Sequence, residues 1–232
     1  MAEKVIGIVG GMGPEATADL FLKILAATPA RTDQEHLHIL IDCNPKIPPR
    51  AKALLEGGPD PTPLLQSTAR TLERAGADFL IVACNTAHLF YDAIVEAVSI
   101  PVLHIVEETV AEVQRRYPNA RTVGVLGGNG TVGLRLYHDR LEARGLMAVS
   151  PPMDGEQRIV AEVIRSVKAG DKGPAVRAKI RAVAEKLASE GAQLLLAACT
   201  ELPLVLRDGD VSVPVVDPNQ VLAEAAVRKA RG

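Results

Sequence analysis

The stretch IGIVGGMG, residues 6–13, returns as VGVLGGNG at residues 123–130. Each is a β-branched run closing on a Gly-Gly turn, the form of a buried strand that ends in a tight loop. Two further pairs keep nearly the same interval. AGADFLIVACNT matches EGAQLLLAACTE, with Cys84 and Cys199 standing 115 residues apart, and SIPVLHI matches SVPVVDP, with Pro101 and Pro214 standing 113 apart. Three matches in order at a nearly constant offset indicate an internal duplication with small deletions, and hence two similar lobes. The alternative is two unrelated α/β halves whose strand endings merely share propensities.

Around these anchors, apolar β-branched runs alternate with helical patterns. KVIGIVG, a helix from Pro14, HLHILID, a helix through LLQSTARTLERAG and DFLIVAC fill the first half; TVGVLGG, helices around LRLYHDRLEARG and ending near Gly191, and QLLLAAC fill the second. This rhythm predicts an α/β fold: two pseudosymmetric three-layer lobes with mostly parallel sheets. Ligands of such sheets bind beyond the carboxyl ends of the strands, so the active site is expected in the cleft between the lobes. The expected division is 1–103 joined by 216–232 for the N-terminal lobe, and 104–215 for the second.

Composition narrows the partners. Net charge is -2 and aromatics are 3% of the 232 residues, so no basic stripe with interleaved rings is available to nucleic acid. No apolar run approaches the length that spans a bilayer and no signal-peptide pattern opens the chain, so a cytoplasmic protein without membrane contact is expected. Cys43, Cys84 and Cys199 form no C-x-x-C pair and read as free thiols. His36 and His38 share one face of a strand without an evident third ligand, so no metal site is expected.

The glycine loop itself invites a dinucleotide reading, since Gly11, Gly13 and Ala16 satisfy its spacing. An acidic residue about 20 positions on should then meet the ribose; Asp42 lies 29 positions after Gly13, and Asp33 and Glu35 precede the strand. Pro14 suits a first helical position, so the loop presents a helix N-terminus to an anion, for which a carboxylate is the better candidate.

Cys84 ends a strand before NTAHLFYDAIVEAV, which reads as a helix, and Cys199 ends one before TELPLVL. A helix N-terminus favours the thiolate, so both thiols are expected to be activated. A cysteine at a strand end is also an ordinary small core residue. Two at equivalent positions suit a symmetric reaction in which one thiolate removes a proton from a carbon acid and the other thiol returns one to the opposite face. Asn85, Thr86 and Thr200 stand where donors to the substrate carboxylate are needed, or where helix caps are needed. His88 either faces the site or packs, and Glu201 either buffers Cys199 or occupies a helix's first turn.

GGMGPEATADLF (10–21), DQEH (33–36), NPKIPPR (44–50), ERAGADFLIVACNTAH (73–88), VKAG (167–170) and ACTELPLVL (198–206) together resemble the aspartate/glutamate racemase family, in order and over almost the whole chain. The likeness is greatest to its cofactor-independent aspartate racemases. The resemblance implies an isomerase that uses no cofactor and no metal and interconverts L- and D-aspartate. Glutamate or broader amino-acid racemisation, and a non-catalytic amino-acid sensor on the same scaffold, are the alternatives. It further implies Cys84 and Cys199 as the catalytic pair and a small acidic amino acid as substrate. Met12, Gly13, Arg50, Asn85, Thr86, Lys168 and Thr200 would contact that substrate, and the protein would be a homodimer. Cys43 in IDCNP and the loop LGGNGT depart from the family pattern.

Overall fold

In the computed structural model, which describes residues 3–232, the chain divides into two compact units. The first runs to Glu108 and takes in Asn219–Gly232; the second is Thr109–Pro218.

The first unit comprises β1 (Ile6–Gly10), α1 (Pro14–Ala27), β2 (Ile39–Cys43), α2 (Arg50–Glu56), α3 (Thr62–Arg74), β3 (Phe79–Val82), α4 (Tyr91–Val95) and the start of α5 (Ile105–Arg116). Its strands are parallel in the order β2-β1-β3, and Val102 bridges Leu80 beyond β3. All five residues of β1 and all four of β3 are buried. Successive strand residues point to opposite faces, so both faces of this sheet are covered, as a parallel sheet requires.

The second unit holds the rest of α5, then β4 (Thr122–Leu126), α6 (Asn129–Gly133), α7 (His138–Glu142), β5 (Met147–Val149), α8 (Gln157–Lys168), α9 (Pro174–Ser189), β6 (Leu194–Ala197) and β7 (Val215–Val216); α10 (Pro218–Arg231) returns the chain to the first unit. The sheet is parallel in the order β5-β4-β6-β7. The helix expected through LRLYHDRLEARG is interrupted. Arg135 takes a left-handed conformation (φ 55°), and Leu136 N–H reaches back to Thr131 O at 3.0 Å, closing α6 before α7 begins.

The duplication is visible bond by bond. Leu80 N–H donates to Pro101 O at 2.8 Å in the first unit, as Leu195 N–H does to Pro214 O at 2.9 Å in the second. Ala83 N–H bonds Val9 O as Ala198 N–H bonds Leu126 O. A Cβ at Gly7 would meet Leu80, Ala77 and Leu72 within 3.4 Å, and one at Gly124 would meet Leu195, Leu187 and Ala192 within 3.2 Å. The same strand glycine thus lets the same leucine–alanine wedge close on each sheet. The α/β architecture in two lobes is therefore as the sequence predicts.

Candidate active site

In the first unit, β3 leads through Ala83 to Cys84, which is 6% exposed. The helix expected to succeed it is a 3-10 turn, Thr86–Phe90, before the short α4. His88 is the reason. Its Nδ1 lies 2.9 Å from the Cys84 carbonyl, the acceptor that an α-helical His88 N–H would need. That N–H instead bonds Asn85 O at 3.0 Å, which winds the turn tighter. Nε2 accepts from Ile105 N–H at 3.2 Å, so the proton sits on Nδ1 and is donated to Cys84 O. Burial, aided by the neighbouring His104, pushes His88 down to about 3 and keeps it neutral. Of the two roles open to His88, packing is the observed one: it ties the Cys84 backbone to the start of α5.

The group beside the Cys84 sulfur is Arg50. Its Nη2 lies 3.9 Å from Sγ and 3.4 Å from Met12 O, while Nη1 donates to Pro48 O at 2.8 Å and Ile47 O at 3.2 Å. Arg50 opens α2 directly after the Pro48-Pro49 corner, which aims its side chain back over the first glycine loop. Three expected residues, Met12, Arg50 and Cys84, thus meet. Gly13 precedes α1 and its carbonyl accepts from both Thr17 N–H and Thr17 Oγ1. Asn85 is buried, and its side chain does not cap the 3-10 turn beyond it; Thr86 opens that turn half-buried.

The first glycine loop packs directly against the chain that follows β2. Gly11 has φ +91° and a Cβ there would fall 2.3 Å from the Asn44 carbonyl carbon, while its N–H is already held by Thr17 Oγ1 at 2.9 Å. The glycine is needed for backbone-to-backbone contact with the NPKIPPR segment.

In the second unit, Cys199 comes after β6 and is half-buried. Its Sγ donates to Glu201 Oε2 at 3.0 Å, and Glu201 Oε1 accepts from Lys168 Nζ at 2.6 Å. The Glu201 side chain is 5% exposed and that of Lys168, in the last turn of α8, 43%. Thr200, buried, lies 3.4 Å from Glu201 Oε2 through Oγ1. Burial of the thiol, together with the Glu201 charge, raises the Cys199 pKa well above its ordinary value, with Lys168 opposing. The expectation of an activated Cys199 is therefore corrected. The next element along the chain is only a three-residue 3-10 turn, Leu202–Leu204, and a carboxylate outweighs any dipole so short a turn provides.

Of the two roles open to Glu201, contact with Cys199 is the observed one, and its carboxylate gathers Lys168, Cys199 and Thr200. Gln157 was missed altogether: buried at the start of α8, it donates to Gly127 O at 2.9 Å and Asn129 Oδ1 at 3.1 Å, holding the second glycine loop. Cys43 is exposed at the end of β2. His36 is half-buried and His38 exposed, and no cluster of three or more potential metal-binding side chains occurs among the described residues.

Two α/β units of one design, each with Ala-Cys directly beyond a parallel strand (β3 and β6), define a class of duplicated proteins with one thiol at the equivalent place in each half. The chain belongs to the Asp/Glu/Hydantoin racemase family, whose model matches residues 9–226, and it is accordingly an isomerase of the racemase type. It is 30% identical over 227 residues to the broad specificity amino-acid racemase RacX of Bacillus subtilis (strain 168), covering 96% of each chain. Among solved structures it resembles the aspartate racemase of Picrophilus torridus, with a TM-score of 0.88 and 30% identity over 98% of this chain and 94% of that one. An aspartate racemase homologue from Pyrococcus horikoshii OT3 has a TM-score of 0.79 and 28% identity, over 99% and 100% of the two chains. No helix among the described residues is long and apolar enough to cross a membrane.

Proposed function

We propose that this racemase interconverts L- and D-aspartate, with Cys84 and Cys199 as the two proton-transfer groups. The observation that carries the reading is the pair of thiols at equivalent strand ends of two units with the same internal bonding. One thiolate takes the Cα proton while the other thiol donates to the opposite face, and the two exchange roles on the return. Negative charge developing on the substrate carboxylate needs fixed donors, a role given to Asn85, Thr86, Thr200 and the backbone around Met12 and Gly13. Arg50 and Lys168, each held close to one of the thiol sites, supply positive charge for a dicarboxylic substrate. The likeness to the Picrophilus torridus aspartate racemase supports aspartate.

A broader amino-acid range is the second reading. It is favoured by the Lys168–Glu201 pair, which spends that positive charge within the protein, and by the likeness to a broad specificity racemase. Proton NMR in heavy water with each enantiomer of aspartate, glutamate and a panel of neutral and basic amino acids, run alongside optical rotation, separates the readings. Loss of the Cα proton with racemisation of aspartate well ahead of the panel is the expected result. Equal rates across the panel would favour the broad reading, and no exchange with any member would overturn both.

A further inference from the structure

The two sulfurs have hydrogen-bond partners of opposite kind. Arg50 presents a donor to Cys84 Sγ, whereas Glu201 presents an acceptor to Cys199 Sγ at 3.0 Å and is fixed in place by Lys168 at 2.6 Å. A sulfur facing a buried carboxylate oxygen keeps its own proton, because a thiolate there would set two anions in contact.

We propose that Glu201 is a positioning residue that holds Cys199 as the protonated thiol, so that the resting enzyme presents Cys199 as the acid and leaves Cys84 to serve as the base. The inference rests on the two-thiol reading above. It adds an asymmetry which the duplicated sequence conceals, since the residue two places after Cys84 is Thr86 and the residue two places after Cys199 is Glu201. Two charged groups act on the Cys199 thiol: Glu201 from two positions further along the chain, and Lys168 from the last turn of α8. Their effects oppose one another, with the carboxylate raising the thiol and the ammonium lowering it. Loss of the Cys199 proton when that thiol serves as the acid must therefore work against Glu201, and Lys168 offsets part of that cost.

The test is peptide-resolved alkylation of the intact folded protein by iodoacetamide between pH 6 and pH 10, because only the thiolate reacts. Cys43, exposed at the end of β2, serves as the reference thiol in each sample. Although Cys199 is only half-buried, its labelling is expected to require alkaline pH. Glu201→Gln should move the Cys199 profile down by about one pH unit or more, raising labelling at neutral pH about tenfold, with the Cys84 profile unmoved. Lys168→Met should move the Cys199 profile upward. The two shifts in opposite directions report the charges themselves, and Lys168→Met carries the test if Glu201→Gln fails to fold. An unchanged or upward-shifted profile in folded Glu201→Gln, or an unchanged or downward-shifted one in Lys168→Met, would overturn the proposal. Labelling reads the thiols without any substrate, so the expected shifts without isotope exchange on any amino acid would sink the racemase substrate reading alone.

Discussion

Burial holds His88 neutral, with a pKa of about 3 against an ordinary 6.5. The unfolded chain binds a proton at this position between those values and the folded chain does not, so folding stability contributed here is full above pH 6.5 and falls as the pH drops toward 3. The slope in that window is about 1.4 kcal/mol per pH unit for this one group. His138, pushed down chiefly by its own burial, adds a loss of the same sign. Urea midpoints measured from pH 7.5 to pH 4.5 should therefore decline in the wild type and decline less steeply in His88→Asn. The asparagine amide replaces Nδ1 as donor to Cys84 O but leaves Ile105 N–H without its acceptor, which should cost about 1–3 kcal/mol at pH 7.5. Equal slopes for the two proteins would refute the assignment of a buried neutral His88. The sequence exposed Cys84, Cys199 and Arg50 as chemistry but left two duties open for each of His88 and Glu201. Those duties are set by partners 17 and 33 residues away, Ile105 and Lys168, which no local spacing reveals.

The strands and their glycine loops were legible because buried parallel strands write themselves as unbroken β-branched runs. The segments after the cysteines were not, since apolar spacing alone cannot separate an α-helix from a 3-10 turn whose first carbonyl is claimed by a side chain, as His88 claims that of Cys84. The interruption at Arg135 was equally hidden, because an arginine carries no sequence signal for a left-handed turn. Gly7 and Gly124 offer a test at this scale. A methyl group on Gly7 would sit 2.5 Å from Leu80 Cδ2 and 2.9 Å from Ala77 Cβ; one on Gly124 would sit 2.4 Å from Leu195 Cδ2 and 2.8 Å from Leu187 Cδ2. Gly7→Ala and Gly124→Ala should each destabilise the protein by about 1–3 kcal/mol through overpacking, read as a lowered midpoint in chemical denaturation. A substitution tolerated at one strand but not the other would show that the duplicated wedge has come to differ in stiffness between the units. Gly11→Ala should be the worst of the three, because its methyl group meets the backbone of Asn44 and its φ is left-handed.

For the whole molecule, the duplication was readable in three motif pairs, whereas no linker marks the change from one compact unit to the other, since it falls within α5 and at the start of α10. If, as proposed, one thiol takes the Cα proton and the other gives one, the two protons are different, and this predicts where deuterium goes. In heavy water at low conversion, the product enantiomer should carry deuterium at Cα while the remaining substrate keeps its hydrogen. A single shared base would instead wash deuterium into both. The equilibrium constant between enantiomers is one, so a variant must lose kcat/KM by the same factor from either side. Cys84→Ser and Cys199→Ser should each lower racemisation by about a thousandfold or more, the scale of removing a general acid or base with its partner group left behind. They should still differ from each other in exchange, because each retains one thiol that can take the Cα proton of one enantiomer and return deuterium to the same face. Complementary enantiomer preference in that residual exchange, one hand for Cys84→Ser and the opposite hand for Cys199→Ser, would tie each unit to one face of the substrate. Loss of exchange with both hands in both variants would mean that proton removal needs the two thiols together, and near-normal turnover in either serine variant would dismiss the pair.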